Sequence, residues 1–214
     1  MKVKALIPNN YGWFEVKLDP FAFDHLWKCI DEGRGESLKH GLAGQIEDSF
    51  SLTDIDDYFF NKVVLPLCHE YTKRWGMSFT TVPVKDVEQM GYGIKNMWVN
   101  YQNQHEYNPI HDHGGLFSFV VWMKIPTSFS EQNKISNAAG SNHGVNSAFC
   151  IDYNDIFGGP MNHLYGLNSS YEGMMLFFPS KLRHYVNPYY NCDEQRISIS
   201  GNIILKPIDD QVHQ

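Results

Sequence analysis

Apolar side chains in the first part of the chain recur at helical spacing. Phe23, Leu26, Trp27 and Ile30 share one face of a 3.6-residue repeat across Pro20–Glu32, and Gly33 and Gly35 follow where a helix should stop. A second helical repeat carries Phe59, Val63, Leu65, Leu67 and Tyr71 across residues 58–75, with Pro66 placed to kink it or to mark its first turn. From about residue 96 the period changes. Short apolar runs at 97–101, 116–125, 147–152, 173–178, 184–186 and 196–205 are each bounded by Gly, Pro, Asn or Ser, the grammar of strands and turns. Several short strands of this kind predict a sandwich or jelly roll, mainly β, with the helices packed outside it. The expected organisation is one domain over 1–214, a helix-rich part at 1–95 resting on a β core at 96–205.

No strand–helix–strand alternation appears, and Gly91-Tyr92-Gly93 is no dinucleotide fingerprint, so a Rossmann fold is not expected. Two polar stretches, 127–146 and 153–172, read as long loops of the sort that form lids or binding segments.

Composition narrows this picture. The chain has 214 residues, enough for a real core. Its 14% aromatic content favours pleated, half-buried surfaces. A net charge of −7 and the lack of a Lys/Arg cluster argue against general nucleic-acid binding. Cys29, Cys68, Cys150 and Cys192 form no CxxC pair and read as reduced thiols of a cytoplasmic protein. Residues 1–8 lack an apolar run of signal-peptide length, and no segment is apolar enough to span a membrane.

The candidate chemistry lies in the second half. In His111-Asp112-His113, strand alternation turns both imidazoles to one face and Asp112 to the other, so two ring nitrogens can chelate one ion. Asn108-Pro109 favours an extended approach, and Gly114-Gly115 leaves room for a ligand. His184 follows an apolar run that ends at Pro179 and can face into a barrel. Twelve residues on, Arg196 and Ser198 share a strand face. A guanidinium on a sheet interior needs an anion, and a bidentate carboxylate is its natural match.

The set His-x-His, a late His, then Arg-x-Ser resembles the iron(II)/2-oxoglutarate oxygenase superfamily, and most of all its prolyl-4-hydroxylase-like branch with its bacterial and phage members. The resemblance runs from about residue 96 to 205. It includes Val99-Asn100-Tyr101, Asn108-Pro109, Phe178-Pro179 and Arg196-Ile197-Ser198. It implies a cupin-like double-stranded β-helix that uses Fe(II), 2-oxoglutarate and O2. His111 and His184 would ligate the metal. Arg196 would clamp the distal carboxylate of 2-oxoglutarate, with Ser198 and Tyr101 adding hydrogen bonds. His105 and Asn202 are candidates on the substrate side.

One position departs from the family pattern. Two residues after the first His the family usually carries Asp or Glu, the carboxylate of a facial triad, whereas this chain has His113. Three arrangements are open: His113 as third ligand, a site with only two protein ligands, or a carboxylate from Asp112 or Asp152. The implied activity is a hydroxylase acting on a peptide, prolyl or small-molecule substrate. The alternatives are a three-His cupin-like enzyme that does without 2-oxoglutarate and a non-catalytic binding module on the same fold.

Overall fold

The computed structural model describes residues 1–5, 10–76 and 90–207. Part of the N-terminal run 1–8 lies outside the described residues.

Helix α1 spans Pro20–Glu32. Asp19 caps it through a side-chain bond to the Ala22 N–H, Pro20 sits where no amide partner is needed, and Gly33 ends it. Its buried face is Ala22, Leu26, Cys29 and Ile30. Helix α2 spans Leu65–Trp75 and is entered through a wider π turn at Phe60–Val64. Pro66 explains that turn. Its ring clashes with the carbonyl four residues back, and the Leu65 N–H bonds instead to the Phe60 carbonyl.

The strands are β1 (Phe14–Lys17), β2 (Arg34–Ser37), β3 (Asp48–Leu52), β4 (Met90–Gln102), β5 (Asn108–His111), β6 (Phe117–Lys124), β7 (Ala148–Asn154), β8 (Pro160–Gly166), β9 (Met174–Pro179), β10 (Arg183–Val186) and β11 (Arg196–Pro207). They form two antiparallel sheets, seven strands in the order β1-β9-β6-β11-β4-β3-β2 and four in the order β5-β10-β7-β8. This is the expected mainly β jelly roll, a double-stranded β-helix. Besides α1 and α2, the first 95 residues contribute β1, β2 and β3 to the larger sheet.

Strand alternation gives the larger sheet two different faces. Met97, Val99, Phe117, Phe119, Val121 and Ile199 pack toward Leu26, Phe59, Val64 and Tyr71 of the helical layer. On the opposite face Val120, Trp122, Leu176 and Phe178 meet Phe149, Ile151 and Tyr165 of the smaller sheet. Between the sheets, beyond this second cluster, the inward face of β4 and β11 turns polar, and there the cavity opens.

One expectation changes. The stretch 153–172 is no simple loop, because β8 pairs with β7 from Ala148↔Gly166 to Asn154↔Pro160. It is an edge strand whose first four residues are exposed, so it shows no apolar alternation, and its Pro and Gly sit at its ends. The stretch 127–146 is irregular as expected, apart from the short helix α3 (Phe129–Gln132). All four cysteines are free thiols. Among the described residues no helix is long and apolar enough to cross a membrane.

Candidate metal centre

His111 ends β5 and pairs directly across the antiparallel ladder with His184 of β10. The ring centroids lie 4.4 Å apart. His113 stands two residues past the end of β5, in a segment pinned to the loop after β9. Its N–H donates to the Ser180 carbonyl (2.8 Å), the Ser180 hydroxyl donates to the Gly115 carbonyl (2.6 Å), and Asp112 pairs with Lys181 (3.0 Å). These bonds bring the His113 ring 4.9 Å from His111 and 5.0 Å from His184. One nitrogen from each of the three rings falls within 4.8 Å of the others.

The ring orientations follow from backbone acceptors. His111 Nδ1 lies 2.7 Å from the Pro109 carbonyl and His184 Nδ1 lies 2.9 Å from the Leu182 carbonyl. A carbonyl only accepts, so each Nδ1 carries the proton and each neutral ring keeps its Nε2 lone pair for a ligand. His184 is wedged between Phe149 and Phe178. Burial holds all three imidazoles neutral. It lowers the pKa of His111, takes His113 down to about 4 with His111 beside it, and takes His184 down to about 3.

The competing carboxylates are turned away. Asp112 is exposed and engaged by Lys181, and Asp152 accepts from Asn162 across the β7–β8 ladder. Among the described residues the donor set at this point is His111, His113 and His184.

The same cavity runs from the histidines to Arg196 and Ser198, lined along the way by Asn100, Gln102 and Ser200. Arg196 is 2% exposed. Among the described residues its guanidinium meets only neutral partners: Ser147 through its hydroxyl and its carbonyl (3.3 Å), Gln102 Oε1 (3.4 Å), and the Tyr189 ring at 5.1 Å. Its Nε–H has no partner. Burial lowers the Arg196 pKa to about 10, so it stays charged at neutral pH. A buried cation without an anion is costly by several kcal/mol, and a carboxylate entering the cavity would relieve it.

Three of the sequence expectations are corrected here. Tyr101 does not reach the cavity; it lies on the opposite face of β4, against Phe50 and beneath the Arg34 guanidinium. Strand alternation requires this once Arg196 and its register partner Gln102 face inward, and the same alternation identifies Asn100 and Gln102 as the inward residues that sequence reasoning missed. His105 is exposed in the turn after β4, against Tyr190 and away from the cavity. Gly115 gives no room to a ligand, because a Cβ there would stand 2.7 Å from the Ile203 carbonyl; Gly114 is the open one and lines the outer pocket. Asn202 does line that pocket, held by Ser118 (2.7 Å) and Asn96 (2.9 Å).

His25, Cys29 and Asp54 form a second convergent cluster. Its carboxylate is already used: Asp54 accepts the Phe59 and Phe60 N–H groups (3.0 and 2.7 Å) and braces His25 (2.9 Å). It caps the helical segment that follows.

The model of the family described as "Putative 2OG-Fe(II) oxygenase" matches residues 96–202, half of the chain. The chain belongs to this family. Members use Fe(II), 2-oxoglutarate and O2, and the protein is accordingly a 2-oxoglutarate-dependent oxygenase. No curated protein matches it. Among solved structures it is similar to a Pseudomonas putida prolyl-4-hydroxylase, at 11% identity and a TM-score of 0.51, over 89% of this chain and 91% of that one. It is also similar to a Burkholderia pseudomallei oxidoreductase of the 2OG-Fe(II) oxygenase family, at 10% identity and a TM-score of 0.45, over 90% of this chain and 84% of that one. At such identities the likeness concerns the fold. Three neutral imidazoles that share a focus and a guanidinium that lacks an anion fit the oxygenase's iron and keto acid.

Proposed function

We propose that the chain works as one domain whose iron is held by His111, His113 and His184, with 2-oxoglutarate anchored by Arg196, and that it hydroxylates a peptide or small-molecule substrate. The observation that carries this reading is the single cavity joining the three imidazoles to a fully buried, unpaired guanidinium. In this reading the carboxylate of the usual facial triad is replaced by His113, a neutral ligand that leaves the site one negative charge poorer. The hydroxylase assignment also draws on the fold shared with a prolyl-4-hydroxylase.

When bound, the iron would supply O2 activation coupled to oxidative decarboxylation of 2-oxoglutarate. The chain's residues do the rest. The Pro109 and Leu182 carbonyls hold the Nδ1 protons and so aim both Nε2 atoms inward. Ser147, Gln102 and Tyr189 hold the guanidinium in place, and Ser198 on the same strand face adds a hydroxyl for the keto acid's carboxylate. Trp122, Phe149 and Phe178 line the cavity and exclude water. The four free thiols fit a reducing compartment.

The test is turnover. With Fe(II), 2-oxoglutarate and O2, the protein should form succinate, and a candidate substrate pool should yield products heavier by one oxygen. Iron-dependent oxidation that continues undiminished without 2-oxoglutarate would favour a three-His cupin-like enzyme instead.

A further inference from the structure

A second, more open cavity of about 250 Å³ lies beside His111 and His113, on the side of Gly114. It shares His111 and His113 with the cavity of the proposed iron site. Its wall is unusual for its carboxamides: Asn96, Asn100, Asn108 and Asn202 all line it, with Ser49 and Trp98.

The amides are not interchangeable, because internal bonds fix which end each presents. The Ser49 hydroxyl donates to Asn100 Oδ1 (2.7 Å), so the Asn100 Nδ2–H groups are left for the cavity. The Ser118 hydroxyl donates to Asn202 Oδ1 (2.7 Å), and Asn202 Nδ2 donates in turn to Asn96 Oδ1 (2.9 Å), which leaves the Asn96 Nδ2–H groups free. Asn108 is the opposite case. Its Oδ1 is buried and makes no hydrogen bond; among the described residues the only other buried side-chain atom in this state is Arg196 Nε. Asn108 also lines both cavities, outer and inner, and so stands at their junction.

A ligand group that fills this place must accept from Asn100 and donate to Asn108. Asp112 is the one charged side chain among the described residues that line the wall, and it is already paired with Lys181, so the wall offers no free acid to an amine and no side-chain cation of its own to an anion. An uncharged amide carries an acceptor and a donor on the oxygen and nitrogen of one carbonyl carbon, the pair that Asn100 and Asn108 ask for. We propose that this cavity recognises a neutral amide of the substrate, its carbonyl accepting from Asn100 Nδ2 and its N–H donating to Asn108 Oδ1. This rests on the oxygenase reading of the neighbouring site and names the chemistry of its substrate.

The side-chain amide signals of Asn100 and Asn108 in a ¹⁵N-correlation spectrum report the contact without turnover. With Zn(II) and 2-oxoglutarate loaded, benzamide should shift both signals, whereas benzoate, benzylamine and benzyl alcohol should not. Asn108→Leu should weaken benzamide binding about tenfold while metal binding is retained. N-Acetylalanine methylamide distinguishes the source: a response to it places the amide in a peptide chain, and a response to benzamide alone places it in a small carboxamide. Equal shifts with benzoate or benzyl alcohol, or unmoved Asn signals with every probe, overturn the proposal. If Zn(II) or 2-oxoglutarate fails to bind while benzamide still shifts the asparagines, the oxygenase-site reading falls and the amide pocket stands.

Discussion

His111 and His184 are cross-strand partners, opposite one another in the β5–β10 ladder with ring centroids 4.4 Å apart. Seventy-odd residues of chain separate them, yet one register pair sets their geometry. His113 is held differently, by a clamp between residues 112–115 and 180–181 rather than by a strand. The two modes of support lead to different expectations for substitution.

His111→Ala and His184→Ala should abolish Co(II) binding, measured by titration of the metal-free protein. His113→Ala should weaken it by at least ~10–100-fold, the range seen for lesser perturbations of metal sites. His113→Asp should bind again, because it restores the two-His-one-carboxylate set. Unchanged Co(II) affinity in His113→Ala would mean that the third imidazole is no ligand.

Arg196 is charged, buried and without an anion, so its removal should cost the unliganded protein little. Arg196→Met should melt at the same temperature as the parent or above it, since replacing an unpaired buried charge by a well-packed apolar side chain is neutral or stabilising. The same variant should lose stabilisation by 2-oxoglutarate. In the parent that stabilisation amounts to about 2.7 kcal/mol at a ligand concentration of one hundred times Kd. Paired melting curves with and without 2-oxoglutarate check both halves.

Tyr101→Phe should leave 2-oxoglutarate affinity unchanged, because that hydroxyl lies across the sheet from the cavity. Ser198→Ala should weaken binding by about 0.5–1.5 kcal/mol, the value of one hydrogen bond. Calorimetric titration of the two variants separates these outcomes.

The three imidazoles also give the metal-free protein a pH signature. Their folded-state pKa values are lowered, with His113 near 4 and His184 near 3. Between those values and the ordinary ~6.5 the unfolded chain binds more protons, so stability rises with pH in that window. Urea unfolding of the metal-free protein should therefore show full stability at pH 7 and a loss on going to pH 5. The loss should shrink in His113→Gln. A stability that is flat or higher at pH 5 would contradict the burial of neutral rings.

Much of the site was legible because it depends on local spacing. His111 and His113 lie two residues apart and Arg196 and Ser198 likewise; strand alternation places the second pair on one face of β11, and the spacing alone singled out the first. Two features were not legible in the same way. His113 converges by a loop clamp that involves Ser180 and Lys181, which no periodicity announces. The error at Tyr101 was one of phase: Asn100 and Gln102 were readable as inward partners only once the β4–β11 register, Asn100↔Ser198 and Gln102↔Arg196, was known. Edge strands were the weak point for the fold. In β2 every residue is exposed, and in β8 the first four are, so neither carries an apolar pattern to detect.

The most direct test of the central claim is an anaerobic titration of the iron-loaded protein with 2-oxoglutarate, followed by the weak visible charge-transfer absorption of the chelated keto acid. The expected result is a saturable band in the parent, absent in His184→Ala and displaced to much higher 2-oxoglutarate concentration in Arg196→Met. A band of the same strength and midpoint in Arg196→Met, or iron bound with no band at any concentration, would contradict the assignment of this cavity to iron and 2-oxoglutarate.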